Sequence, residues 1–255
     1  MNRENYRREC MRLYKKLRYP NASLIFRPPL MMPPADMLND FEQNGDMPIT
    51  KSWYMDPSHS ANSDNNNNIN KQIPELFQVN ARISQPLGGY NEKILNEKLF
   101  NNYITGKSVA VIGTKIPWIE AIASVLGASK ITILNGFEWI HVYDFLDRVL
   151  ETKELENFDV IMSFSAIEHT GLGRYGDALS PYGDVDAVKQ VHCMLKPGGL
   201  FLLGLPTSHD GSSYIEFNAR RIYGKKRMDL LFKDWSLLEI VKSKDNMHRL
   251  YILRK

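Results

Sequence analysis

Glu168 and His169 open a loop whose residue types suit acid–base chemistry. The stretch Ser165–Asp177 reads SAIEHTGLGRYGD and goes on to supply Arg174, Tyr175 and Asp177 among the glycines Gly171, Gly173 and Gly176. An imidazole next to a carboxyl offers a general base and a group to assist it. A guanidinium offers a hold on an anionic part of a substrate. The stretch follows directly on the apolar run Val160–Phe164. A loop that keeps three polar side chains among three glycines after a buried strand is more often functional than structural.

The surrounding elements fix where that loop sits. Val160–Phe164 and Leu200–Leu205 are short, nearly all-apolar runs, which read as neighbouring parallel strands buried on both faces. Between them Asp184 is placed to cap a helix with Val185, Val188, Val191 and Leu195 on one stripe. Lys196-Pro197-Gly198-Gly199 stops that helix. Upstream, Ile94, Leu95, Leu99 and Phe100 suit a helix leading into a first strand at Ser108–Ile112. Pro117 starts the next helix, Ile119, Ile122, Ala123 and Leu126 give its buried face, and Gly127 ends it before a second strand at Ile131–Leu134. The segment Trp139–Leu150 reads as a short third strand, Ile140–Tyr143, with a helix from Asp144, or as one continuous helix. The last twenty residues give two strands around the polar turn Ser243–Asn246. The fold class expected is α/β: a doubly wound, mostly parallel, Rossmann-like sheet with a C-terminal antiparallel hairpin.

The pairing of FDVIMSFSAIEH (158–169) with LKPGGLFLLGLP (195–206) resembles the fourth and fifth strands of class I S-adenosylmethionine methyltransferases. Three stretches together resemble a domain-of-unknown-function branch of that superfamily: the loop 165–177, Val111–Ala121 with its Pro-Trp-Ile-Glu-Ala, and Phe217–Gly224 (FNARRIYG). The resemblance implies S-adenosylmethionine as cofactor, held at the carboxyl ends of the strands. Carried over, Gly113 and Thr114 follow the first strand, Asn135 the second, Asp144 the third, and Ser163 and Phe164 end the fourth. Gly113 equally makes a plain tight turn, and Asp144 a helix cap. Asn135 stands where the superfamily usually has an acid for the ribose hydroxyls, and Glu138 lies three residues on as a substitute. The Glu168-His169 pair resembles one common in small-molecule methyltransferases. The catalytic set is then His169, Glu168, Arg174, Tyr175 and Asp177, with Asn218, Arg221 and Tyr223 as pocket residues for a small-molecule or glycan-like acceptor. No metal site is expected.

Composition narrows the rest. The chain has 255 residues, 43% hydrophobic and 24% charged, and a net charge of +3, ordinary for a globular protein and too mild to argue for nucleic acid. Arg220-Arg221 with Lys225-Lys226-Arg227 reads as a solvated basic cluster or, failing that, as a seat for an anionic partner. Residues 1–75, Pro-rich and then Asn-rich (58–72), read as a partly disordered extension preceding a methyltransferase-like domain at 76–255. Cys10 and Cys193 are the only cysteines; no disulfide framework is expected, and the count suits a reducing compartment without requiring one. No run approaches the length of a membrane span and no signal-peptide core is seen, so cytoplasmic is the default expectation. An alternative function is a catalytically inactive methyltransferase-fold binding or scaffold module, which Asn135 and the glycine-poor first loop favour. A nicotinamide-dependent oxidoreductase is weaker, because the G-x-G-x-x-G loop is lacking.

Overall fold

The computed structural model describes residues 5–6, 8–10, 30–52, 102–112, 118–134, 156–174, 177–242 and 247–255. In chain order the elements are α1 (Leu38–Glu42), β1 (Ile49–Ser52), β2 (Ser108–Ile112), α2 (Trp118–Val125), β3 (Lys130–Ile133), β4 (Phe158–Phe164), α3 (Gly183–Met194), β5 (Leu195–Pro206), β6 (Tyr214–Phe217), β7 (Arg220–Ile222), α4 (Lys225–Leu231), β8 (Ser236–Lys242) and β9 (His248–Arg254).

The principal sheet has six described strands in the order β3-β2-β4-β5-β9-β8. β2 pairs in parallel with β3 and β4, and β4 with β5. β9 inserts antiparallel between β5 and β8. The chain steps from β2 outward to β3 and then crosses back to β4 on the other side of β2, so strand order reverses between β2 and β4. In open α/β sheets such a reversal is where a crevice for a ligand forms, here beyond the carboxyl ends of Ile112 and Ser163, which are partners in register. The central parallel strands β2 and β4 and the second half of β5 are mostly apolar because both faces are covered, whereas the edge strand β3 is partly exposed. Ile161, Phe201 and Leu203 pack with Val185, Val188 and Val191 of α3. Val109, Val111, Val160 and Met162 pack with Ile119 and Ala123 of α2.

The expected strands at 108–112, 131–134, 160–164 and 200–205 are present, as is the terminal hairpin, with ends displaced by a few residues. β5 begins at Leu195 itself, and a register shift opposite Phe158–Val160 absorbs Lys196–Gly199 into the strand. The proposed third strand at 140–143, the tract 58–72 and the turn 243–246 lie outside the described residues.

Three expectations are corrected. Residues 30–52 are part of the fold: β1 pairs in parallel with β6, which pairs antiparallel with β7, as a second, three-stranded sheet. Phe41 and Met47 are buried against Ile215, Phe217 and Leu172, so residues 30–52 pack with the domain expected at 76–255. Secondly, Cys10 and Cys193 form a disulfide with a Cα–Cα distance of 5.8 Å. Tyr6 donates its hydroxyl to the backbone oxygen of His192 at 2.9 Å, docking the N-terminal residues beside that bond. Thirdly, the basic cluster is not simply solvated. Lys225 and Lys226 are exposed and pair with Asp229 and Asp46, but Arg221 and Arg227 are fully buried.

Candidate functional site

β4 delivers the chain to the carboxyl edge of the sheet, where Ser165 turns it with a φ of 51°. A single turn of 3-10 helix, Ile167–His169, follows at once. The left-handed conformation is unusual for a serine and occurs where the chain must change direction sharply. Glu168 is buried and His169 half-buried there.

The imidazole is held by a backbone group that sequence reading did not single out. His169 Nδ1 lies 2.5 Å from the carbonyl oxygen of Ala219, so it donates its proton to that oxygen and Nε2 carries the lone pair. Arg174 donates from Nη1 to the same oxygen at 3.1 Å. Ala219 sits in the β6–β7 turn next to Asn218, whose φ is 62°. The Asn218 amide donates to Leu30 O at 3.2 Å, tying that turn to the N-terminal segment. A carbonyl oxygen is common to every residue, so no side-chain type marks Ala219 in the sequence.

Burial sets the charge states. It lowers the His169 pKa to about 4; the bond to Ala219 opposes this, and Arg174, Arg220 and Arg221 add to it. Burial pushes Glu168 up to about 8 against a hydrogen bond from Ser165 and the nearby Arg220 and Arg174. Glu168 Oε2 is buried without a hydrogen-bond partner among the described residues. Glu168 Oε1 lies 3.9 Å from His169 Nε2. At neutral pH both groups are uncharged, so the contact is a protonated acid facing a neutral base and not an ion pair.

Asp177 fastens the loop: its Oδ2 accepts from the amides of Gly171 and Gly173 at 2.8 and 3.2 Å. The two ends of the loop meet at glycines. A Cβ on Gly171, whose φ is +78°, would lie 2.5 Å from Ser180 O, and one on Gly183 would lie 2.7 Å from Thr170 O.

Arg221 and Tyr223, expected at the pocket, are instead in the interior with Asp184. Tyr223 donates to Asp184 Oδ2 at 3.1 Å and Arg227 Nε to the same oxygen at 3.0 Å. Arg221 Nε is 3.7 Å from Asp184 Oδ1. Burial opposes the charge on Asp184, but the guanidinium groups of Arg221 and Arg227 hold its pKa below the usual carboxylate value. Asp184 is thus the hub of a buried ionic cluster and makes no side-chain cap to α3, whose N-cap is Tyr182.

Of the cofactor candidates, Ser163 is fully buried at the crevice and its Oγ has no partner among the described residues. Phe164 packs into the core with Val109, Val111 and Met162. Gly113, Thr114, Asn135, Asp144 and Tyr175 lie outside the described residues. Among the described residues no group of His, Cys, Asp or Glu is arranged to hold a metal ion, and no helix is long and apolar enough to cross a membrane.

Residues 106–250 match the family described as Caenorhabditis protein of unknown function, DUF268. The chain belongs to this family. No curated protein matches it in sequence. Solved structures similar to it include the Burkholderia thailandensis 1,6-didemethyltoxoflavin-N1-methyltransferase with bound 1,6-didemethyltoxoflavin and S-adenosylhomocysteine. That likeness is at 13% identity over 82% of this chain and 93% of that one, with a TM-score of 0.48. A SAM-dependent methyltransferase from Aquifex aeolicus is similar at 10% identity over 70% and 97%, TM-score 0.41. With scores of this size, the assignment of this DUF268 chain to the class I methyltransferase fold rests on its own strand order and its antiparallel β9.

Proposed function

We propose that the protein is an S-adenosylmethionine-dependent methyltransferase acting on a small-molecule or glycan-like acceptor. The observation that carries this reading is that His169 follows directly on β4, one of the two strands flanking the reversal at the carboxyl edge, with its proton fixed on Nδ1 by Ala219 O and its lone pair on Nε2. Ser163, with its buried and unpartnered hydroxyl at that crevice, suits a polar ligand there. By resemblance Gly113, Thr114, Asn135 and Asp144 complete the cofactor cradle. When bound, S-adenosylmethionine supplies a methyl group on a sulfonium centre. The chain's own part is to orient the acceptor and take its proton. His169 Nε2 receives that proton, with Glu168 beside it. Arg174, held at Ala219 O, faces an anionic group of the acceptor. Tyr175 and Asp177 belong to the same loop, Asp177 through its clamp on Gly171 and Gly173.

Transfer of labelled methyl from S-adenosylmethionine into a small-molecule extract tests the reading. The wild-type chain is expected to label an acceptor, and His169→Ala to lose roughly 100-fold or more of that rate while keeping cofactor affinity. Equal labelling by both proteins would remove His169 from the chemistry. The alternative of an inactive binding module is favoured by Asn135 in place of the usual acid; it predicts no labelling by either protein.

A further inference from the structure

Arg221, fully buried, reaches the loop at both of its ends. Nη1 donates to Thr170 O at 2.5 Å, and Nη2 donates to Ser180 O at 2.9 Å and to Pro181 O at 3.4 Å. Thr170 is the residue after His169; Ser180 lies where the loop returns to α3. A planar guanidinium with donors in a fixed fork can bridge two backbone segments in this way, whereas an ammonium presents its donors from a single atom on a flexible stem and does not fix both directions as rigidly. We infer that Arg221 is a positioning residue for His169, tying the backbone at Thr170 to that at Ser180-Pro181 so that the imidazole stays against Ala219 O. This deepens the methyltransferase reading and rests on it for its functional meaning. The geometry itself concerns only where His169 is held.

Arg227 provides the internal control. It shares Asp184 with Arg221 and donates to Pro181 O at 2.9 Å, but none of its hydrogen bonds reaches Thr170 or Ser180. The groups facing His169 are Glu168, Arg174, Arg220 and Arg221. The experiment is an NMR titration of the His169 ring in the full chain as wild type, Arg221→Lys and Arg227→Lys. Wild type should titrate near 4. Arg221→Lys keeps the positive charge and loses the fork, so the ring should loosen and its midpoint should rise by about one unit or more towards the ordinary value. Arg227→Lys should leave the midpoint in place while lowering the melting temperature about as much as Arg221→Lys does. An unmoved midpoint in Arg221→Lys, or an equal rise in both variants, would overturn the inference. Should Arg221→Lys not fold, the wild-type side-chain Nη hydrogens decide: slow exchange with water supports the closed fork, and exchange as fast as that of free arginine overturns it. A shifted midpoint without methyl transfer by the wild type would keep the positioning role and remove the enzymatic reading.

The disulfide carries a second inference independently. Cys10 and Cys193 are each buried, and they join the N-terminal residues to the end of α3 across 183 positions of sequence. Lys255 Nζ lies 4.8 Å over the Tyr6 ring on the same side of the molecule. An enclosed bond backed by its own packing is a structural fastening, of the kind kept in oxidising compartments. We propose that the protein matures in such a compartment and depends on this bond for its stability. Full chain produced through a secretory route should resist alkylation in denaturant until reduced. Cys193→Ser from the same route should melt lower by roughly 5 °C or more. Both thiols open to alkylation, or an unchanged melting temperature, would overturn it.

Discussion

At the scale of single residues, Glu168 and His169 respond to pH in opposite senses. The Glu168 pKa rises from 4.5 unfolded to about 8 folded, so between those values the folded state binds more protons and stability falls as pH rises. His169 falls from 6.5 to about 4, so the unfolded state binds more protons there and stability falls as pH drops from 6.5 towards 4. Above pH 6.5 only the Glu168 effect remains. Glu168→Gln should therefore be more stable relative to wild type at pH 9 than at pH 6, by about 3 kcal/mol. Urea unfolding at the two pH values measures it, and a pH-independent difference would place an ionised carboxylate at 168. By resemblance, Asn135 is proposed to stand where the superfamily usually has an acid for the ribose hydroxyls. Asn135→Asp should tighten S-adenosylmethionine by about 1 kcal/mol, checked by titrating both forms. Unchanged affinity would pass the ribose role to Glu138 or to nothing.

At the scale of elements, the loop 170–181 depends on a close backbone approach. Gly171→Ala adds a Cβ 2.5 Å from Ser180 O at a φ of +78°, so neither space nor backbone conformation accepts it. A loss of about 2 kcal/mol or more is expected, with His169 titrating nearer its ordinary value. A loss within 0.5 kcal/mol would mean that the two ends of the loop are not pressed together. The sequence marked the principal strands well because doubly covered strands are apolar runs and α2 and α3 show a clear 3.6 periodicity. It marked the loop after β4 by its polar and glycine content. It did not show what that loop rests on. The small sheet joins β1 to β6, which are far apart in the chain and too short and mixed in composition to announce a pairing. Asp184 has the look of a helix cap, and only the fold brings Arg221 and Arg227 to it. Arg221 and Arg227 likewise read as surface charges until their partner is placed.

The whole molecule combines an ordinary class I sheet with additions at two edges. At the carboxyl edge residues 30–52, β6 and β7 hold the loop through Ala219 and Leu172, and Leu30 ties the β6–β7 turn to the N-terminal segment. Near the end of α3, Tyr6 and Cys10 fasten the start of the chain. The strand order alone shows a methyltransferase fold; the loops after β2 and β3 that would cradle the cofactor lie outside the described residues. Titration calorimetry of the full chain with S-adenosylmethionine therefore bears most directly on the central claim. The account predicts saturable binding at a single site, displaced by S-adenosylhomocysteine and retained in His169→Ala. No binding of either compound at millimolar concentration would contradict it.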